Sequence, residues 1–299
     1  MAVDPITRTF GSVLVAMVTP FTDQGELDLA AAQKVATHLV DNGCDGLVIS
    51  GTTGESPTTT DAEKTALVHA VLEAVGTRAA VITGVGTNDT AHSLELARQA
   101  AKAGAHGILA VTPYYSKPPQ AGLIAHFGAI ADASDLPVML YDIPGRSCVP
   151  IHTETLVRLA EHPRIVAVKD AKDDLYEAAW VLARTDLELY SGTDQLNLAW
   201  LTQGGSGVVS VVGHVAAARY REMVTAVDAG DLVAARRVHT ELLPAVRGIM
   251  TRTQGVIMVK AALQLQGVLT NRHLRLPMVA ATDDEVAVLR ADLEEAKLL

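Results

Sequence analysis

The sequence predicts a (β/α)8 TIM barrel, of the α/β class, followed by a small C-terminal helical domain. Eight short runs rich in Val, Ile and Leu alternate with longer Ala-rich segments of helical period, the pattern of repeated βα units around a parallel sheet. The chain has 299 residues, 49% of them hydrophobic, enough for one large core. After the eighth run the strand signal stops and only helical patterning remains.

The strands are expected at residues 12–21, 45–50, 79–86, 107–113, 137–144, 165–171, 187–194 and 207–214. Each is close to continuously apolar, as strands buried on both faces are. Helices are expected between them, among them 28–41, 61–75, 90–103 and 153–161, several opened by Asp or Thr in capping position. Eight units over this length indicate closure into a barrel. A doubly wound open sheet would place a Gly-rich fingerprint after its first strand, where this chain has TPFTDQGELD. The barrel is expected over residues 1–230 and the helical domain over 231–299, with the stretches IMVKAALQLQGVL and DDEVAVLRADLEEAKLL as its clearest helices. No long Pro/Ser-rich linker separates the two, so they are expected to pack together.

Charge and composition exclude several functions. The 24 basic and 34 acidic residues give a formal charge of −10, and no Lys/Arg run could follow a phosphate backbone, so nucleic acid is not an expected partner. The N-terminal MAVDPITRTF lacks a basic-then-apolar leader, and later apolar runs are broken before they could span a bilayer. A cytoplasmic protein without a membrane anchor is expected. Cys44 and Cys148 form neither a disulfide framework nor a zinc-ligand pair and are expected as reduced thiols. The ten histidines show no HExxH-like spacing, and no metal is implied.

In such barrels the active site is built at the C-terminal ends of the strands. The sixth strand reads Ile165-Val166-Ala167-Val168-Lys169-Asp170, and alternation places Ile165, Ala167 and Lys169 on one face, Val166, Val168 and Asp170 on the other. An inward lysine among apolar walls has its charged form disfavoured, so the nucleophilic free amine becomes accessible. A lone strand-end lysine is ordinarily a solvated surface group; its neighbours decide otherwise. Tyr141 ends the fifth strand and could stand beside Lys169, about 5 Å across the sheet. Its hydroxyl could move the protons that carbinolamine formation and dehydration require, although a core aromatic satisfied elsewhere is an equal reading. Arg146, just past Pro144 and Gly145, could hold a carboxylate by two hydrogen bonds, or be a solvated charge. The loop Gly51-Thr52-Thr53-Gly54-Glu55-Ser56 offers hydroxyls and backbone donors to a small carboxylate. The glycines Gly204, Gly205 and Gly207 precede strand eight, belong at the opposite end of the barrel, and are discounted as a phosphate cradle.

GTTGES (51–56), TPYY (112–115), YDIPGR (141–146), VKDA (168–171) and GVVSV (207–211) occur in this order. Together they resemble the dihydrodipicolinate synthase and N-acetylneuraminate lyase superfamily of pyruvate-dependent class I aldolases, over essentially the whole chain. The resemblance implies that Lys169 forms an imine with pyruvate, and that Tyr141, Thr52 and Tyr115 form a proton relay, Tyr115 reaching across a dimer interface. It implies that Thr53, near Val209, binds the pyruvate carboxylate, that Gly192 lines the pocket, and that the assembly is a homotetramer built from dimers. It also implies that Arg146 binds the carboxylate of L-aspartate 4-semialdehyde, giving 4-hydroxy-tetrahydrodipicolinate for lysine and diaminopimelate biosynthesis. With the lysine as electron sink, no cofactor is needed. Another pyruvate-dependent aldolase acting on a sugar or hydroxy-oxo acid, or a catalytically silent oxo-acid-binding barrel, are the competing readings.

Two departures from the resemblance matter. Asp142 stands where many relatives carry Asn, and alternation turns it away from Lys169. Lysine-inhibited relatives build an effector pocket near positions held here by Asp61, Lys64 and His92, while Asn88, Ser56 and Tyr114 match. Lys64 is expected to repel a lysine ammonium, so weak or absent lysine feedback is expected.

Overall fold

The structure, a computed structural model, describes residues 6–299. Eight parallel strands close into a barrel in chain order: β1 (Val13–Ala16), β2 (Gly46–Ile49), β3 (Ala80–Gly84), β4 (Gly107–Val111), β5 (Val138–Asp142), β6 (Ile165–Asp170), β7 (Glu188–Ser191) and β8 (Gly207–Ser210). β8 pairs back onto β1, which leaves no open edge. Around them run α1 (Leu29–Asp41), α2 (Asp61–Val75), α3 (Thr90–Ala103), α4 (Gln120–Asp132), the one-turn α5 (Pro144–Ser147), α6 (Thr153–Leu159), α7 (Leu175–Arg184), α8 (Asn197–Thr202) and α9 (Gly213–Asp228). Beyond these, α10 (Leu232–Val246), α11 (Gly255–Leu265) and α12 (Asp283–Glu295) pack on one another.

The helix starts follow from capping chemistry. Asp28 accepts a hydrogen bond from the Ala31 amide and Asp89 from the Ala91 amide, while Thr60 and Glu63 form a reciprocal capping box at α2. The strands are shorter than the apolar runs that announce them. After Ala16 the Met17 amide still donates to the Val48 carbonyl (2.9 Å), but Val18 and Thr19 stay buried outside the ladder, and Pro20 has no N–H to donate. Pro137 and Pro144 likewise fall outside β5, and Pro144 opens α5.

Burial on both strand faces produces two cores. Inside the barrel lie Leu14, Val48, Ile82, Met139, Ala167 and Tyr190 with their neighbours, and the larger cluster fills the layer between strands and helices. The expectation that Ile165 shares a face with Ala167 and Lys169 is corrected here. Val138 pairs with Ile165 and Met139 with Ala167, so Val166 is an extra residue in a β-bulge, and Ile165 packs outward into the larger cluster. Above the bulge the alternation resumes, with Ala167 in the inner core.

Gly207, the first residue of β8, has a packing reason. A Cβ on Gly207 would lie 2.2 Å from the Ser12 carbonyl oxygen on neighbouring β1, so only glycine lets the strands approach. Cys44 is buried, Cys148 is exposed, and both are free thiols. Among the described residues no helix is long and apolar enough to cross a membrane, and no group of three or more His, Cys, Asp or Glu could hold a metal ion.

Candidate active site

β5 and β6 place Tyr141 and Lys169 opposite each other in register. The Lys169 ammonium sits 4.3 Å from the centroid of the Tyr141 ring, and the lysine is 4% exposed. Burial drives its pKa down to about 8; the charge of Asp194 opposes the fall and that of Arg146 adds to it. At pH 7 roughly a tenth of the amine is then free, against well under a thousandth for an ordinary lysine. The Tyr141 phenol moves the other way, to about 12: burial dominates, although Arg146 and a hydrogen bond with the Thr52 side chain favour its ionised form. The site therefore pairs an amine that is readily deprotonated with a hydroxyl that keeps its proton.

Asp194 is a site residue that sequence reasoning missed. Its carboxylate accepts from the Val211 and Val212 amides and from Asn197 and Ser210, so it influences Lys169 as a fixed charge held by other donors. An aspartate three residues past β7, at the same barrel end as Lys169, was the available signal.

The loop after β2 is tightly wound. Ser50 and Glu55 both adopt left-handed backbone conformations, the Glu55 amide donates to the Thr52 carbonyl (3.1 Å), and the Thr19 hydroxyl donates to the Gly54 carbonyl (2.6 Å). This winding leaves Thr52 exposed and buries Thr53. Arg146 lies in the single turn of α5 rather than in a loop, and its guanidinium donates to the Gln254 side-chain oxygen at 2.8 Å.

A cavity of about 430 Å³ opens at this end of the barrel, with Thr52, Tyr141 and Arg146 in its wall. Lys169 joins the cluster through the face of the Tyr141 ring. Lys169 itself, Thr53, Gly192, Val209 and Tyr115 do not line the cavity. Val209 belongs to the inner core, and Gly192 donates its amide to the Asp170 carbonyl (2.7 Å), where a Cβ would come within 2.8 Å of that same oxygen. Tyr115 is 89% exposed with φ of +73°, a strained conformation for a bulky residue, while Tyr114 faces the cavity.

Asp142 points away from Lys169, opposite Asp170 on the outer side of the sheet. Burial, then the Asp170 charge, pushes it up to about 7, opposed by Lys172 at 3.8 Å and by the Ile151 amide, which donates to it. The outer end of the cavity carries Asp61, Lys64, Asn88 and His92. Asp61 and His92 pair at 3.0 Å, and the Lys64 ammonium donates to the Ser56 and Thr59 carbonyls.

The profile of the Dihydrodipicolinate synthetase family matches residues 9–296. The 4-hydroxy-tetrahydrodipicolinate synthase of Kineococcus radiotolerans is 67% identical over 97% of this chain and 94% of its own length. That of Mycolicibacterium paratuberculosis is 57% identical over 97% and 96%. Among solved structures, the Cyanidioschyzon merolae enzyme with lysine bound superposes with a TM-score of 0.94 at 42% identity, covering 98% of this chain and all of that one. The chloride-inhibited Acinetobacter baumannii enzyme complexed with pyruvate gives 0.93 at 32% identity, with 98% and 100% covered. With the profile spanning nearly the whole chain and relatives 57–67% identical over 97% of it, the chain belongs to the Dihydrodipicolinate synthetase family.

Proposed function

We propose that the amine of Lys169 attacks C2 of pyruvate and that the resulting enamine condenses with L-aspartate 4-semialdehyde. The observation that carries this mechanism is the buried, in-register pairing of Lys169 with Tyr141. The reaction is that of a 4-hydroxy-tetrahydrodipicolinate synthase, as in the relatives. Carbinolamine formation and loss of water give the iminium, with the Tyr141 hydroxyl delivering and recovering protons and Thr52 as its hydrogen-bonded neighbour. Loss of a methyl proton gives the enamine, whose carbon bonds to the aldehyde carbon. The semialdehyde's amine then attacks the iminium carbon, closes the ring and expels Lys169, so no external redox partner is required.

Thr53 takes the pyruvate carboxylate in this reading, and Arg146, at the cavity wall, takes that of the semialdehyde. Tyr115 completes the relay from a neighbouring subunit of a homotetramer; its exposure and strained backbone support a role outside its own chain. An acceptor panel tests the substrate assignment. With pyruvate as donor, L-aspartate 4-semialdehyde is expected to be consumed at least about a hundredfold faster, in kcat/KM, than sugar aldehydes lacking that carboxylate. Faster turnover of a sugar aldehyde would reject it.

Lysine feedback is expected to be weak. The Lys64 ammonium is buried in the cavity wall, where it opposes a second ammonium, and Asp61 is engaged by His92. Titration with lysine to about ten times a typical millimolar effector level is expected to leave more than half the activity. Half-inhibition at or below that concentration would contradict this.

A further inference from the structure

We propose that α11 and its cap residue hold both substrate-binding segments in place, with Lys260 positioning the Thr52–Thr53 loop through Glu55, and Gln254 positioning Arg146. The inference rests on the proposed carboxylate roles of Thr53 and Arg146.

Glu55 directly follows the Thr52-Thr53-Gly54 stretch and is held in a left-handed conformation. One of its carboxylate oxygens accepts from the Lys260 ammonium at 2.5 Å, and the other accepts from the Arg275 amide at 3.0 Å. The ammonium also donates to the His273 carbonyl (2.8 Å) and lies 4.5 Å above the Phe21 ring. The two side chains of the pair are 1% and 3% exposed. A buried ion pair gains little over apolar residues of the same volume, because both charges lose their water. What it supplies is direction: each carboxylate oxygen has one donor at one place, and the loop backbone follows the carboxylate.

The second contact lies six residues earlier on the same element, about 9 Å along a helix axis. Gln254 caps α11 and its side-chain oxygen accepts from Arg146. The rod between the two contacts is immobilised, since every residue from Val256 to Leu263 is buried. One rigid helix from the C-terminal part of the chain thus touches the segment assigned to each substrate, and neither Gln254 nor Lys260 lines the cavity. They are positioning residues.

The two contacts separate by substrate, which a structural role alone would not do. Gln254→Met is expected to raise KM for the semialdehyde about 3- to 10-fold, with KM for pyruvate and the borohydride-trapped adduct unchanged. Lys260→Met is expected to raise KM for pyruvate about tenfold or more and leave that of the semialdehyde alone, and Lys260→Arg should recover most of the loss. Where Lys260→Met does not fold, Glu55→Gln, which keeps size and an acceptor, should show a smaller pyruvate shift of the same kind. Kinetics are normalised to trappable sites, with Arg146→Ala and Thr53→Val alongside. If Arg146→Ala or Thr53→Val leaves its own substrate's KM unchanged, the carboxylate assignment fails and that half of the inference with it. If those two shift KM as assigned while Gln254→Met and Glu55→Gln only lower melting temperature or trappable fraction, the positioning role is overturned and the assignment stands.

Discussion

Lys169→Ala should abolish both turnover and the adduct formed when pyruvate is trapped with borohydride, as read by intact mass. No other described lysine meets the requirements. Lys260, the other deeply buried one, is bonded to Glu55, and the Lys64 ammonium is bonded to two carbonyls. The loss of the covalent route is expected to exceed about 10⁴-fold in kcat/KM for pyruvate. Lys169→Arg should be as inactive, because a guanidinium keeps its proton.

The wild-type pH profile gives an independent check. The nucleophile is the neutral amine, and burial sets its pKa near 8. Below that value the protonated form dominates, so kcat/KM for pyruvate should fall about tenfold per pH unit; above it the profile should flatten. An unburied lysine would keep climbing to beyond pH 10. A pyruvate adduct on a folded Lys169→Ala protein would remove the lysine from the mechanism.

Tyr141→Phe should cost about 10² to 10³ in kcat, within the range usual for a positioned proton carrier. The substitution keeps the ring that packs against the Lys169 ammonium and removes only the hydroxyl. Tyr141 is not among the groups that set the Lys169 pKa, so the acid limb of the pH profile should stay in place while its height drops. Melting temperature should change by no more than a few degrees, the loss of one hydrogen bond with Thr52. Rates within about threefold of wild type would show that the phenol carries no proton in the slow step.

The barrel was legible because its strands are buried on both faces and so appear as unbroken apolar runs. Their ends were not, since Val18 and Thr19 remain buried after pairing stops, and burial without pairing leaves the same trace in a sequence. Lys169 and Tyr141 were legible because each ends an apolar strand and the two strands are neighbours. The contacts that surround them were not. Glu55 and Lys260 lie 205 residues apart, Arg146 and Gln254 lie 108 apart, and no periodicity links them. Lys64 illustrates the same limit: its sequence position gives the charge, but only the fold shows its ammonium spent on two carbonyls.

Val166, the unpaired residue of the bulge, also fixes which chemistry the barrel can perform. With Ile165 facing outward and strict alternation from there, Lys169 would face the helices and Asp170 the interior. The one extra residue shifts the parity of the strand, so an amine instead of a carboxylate faces the barrel interior. Flattening the bulge with all six residues retained would exchange a nucleophile for an acid, whereas deleting Val166 would leave Ile165 outward and Lys169 inward. In this fold, reaction type is encoded partly by strand parity, and the bulge in β6 is as much a functional trait as the identity of the lysine beyond it.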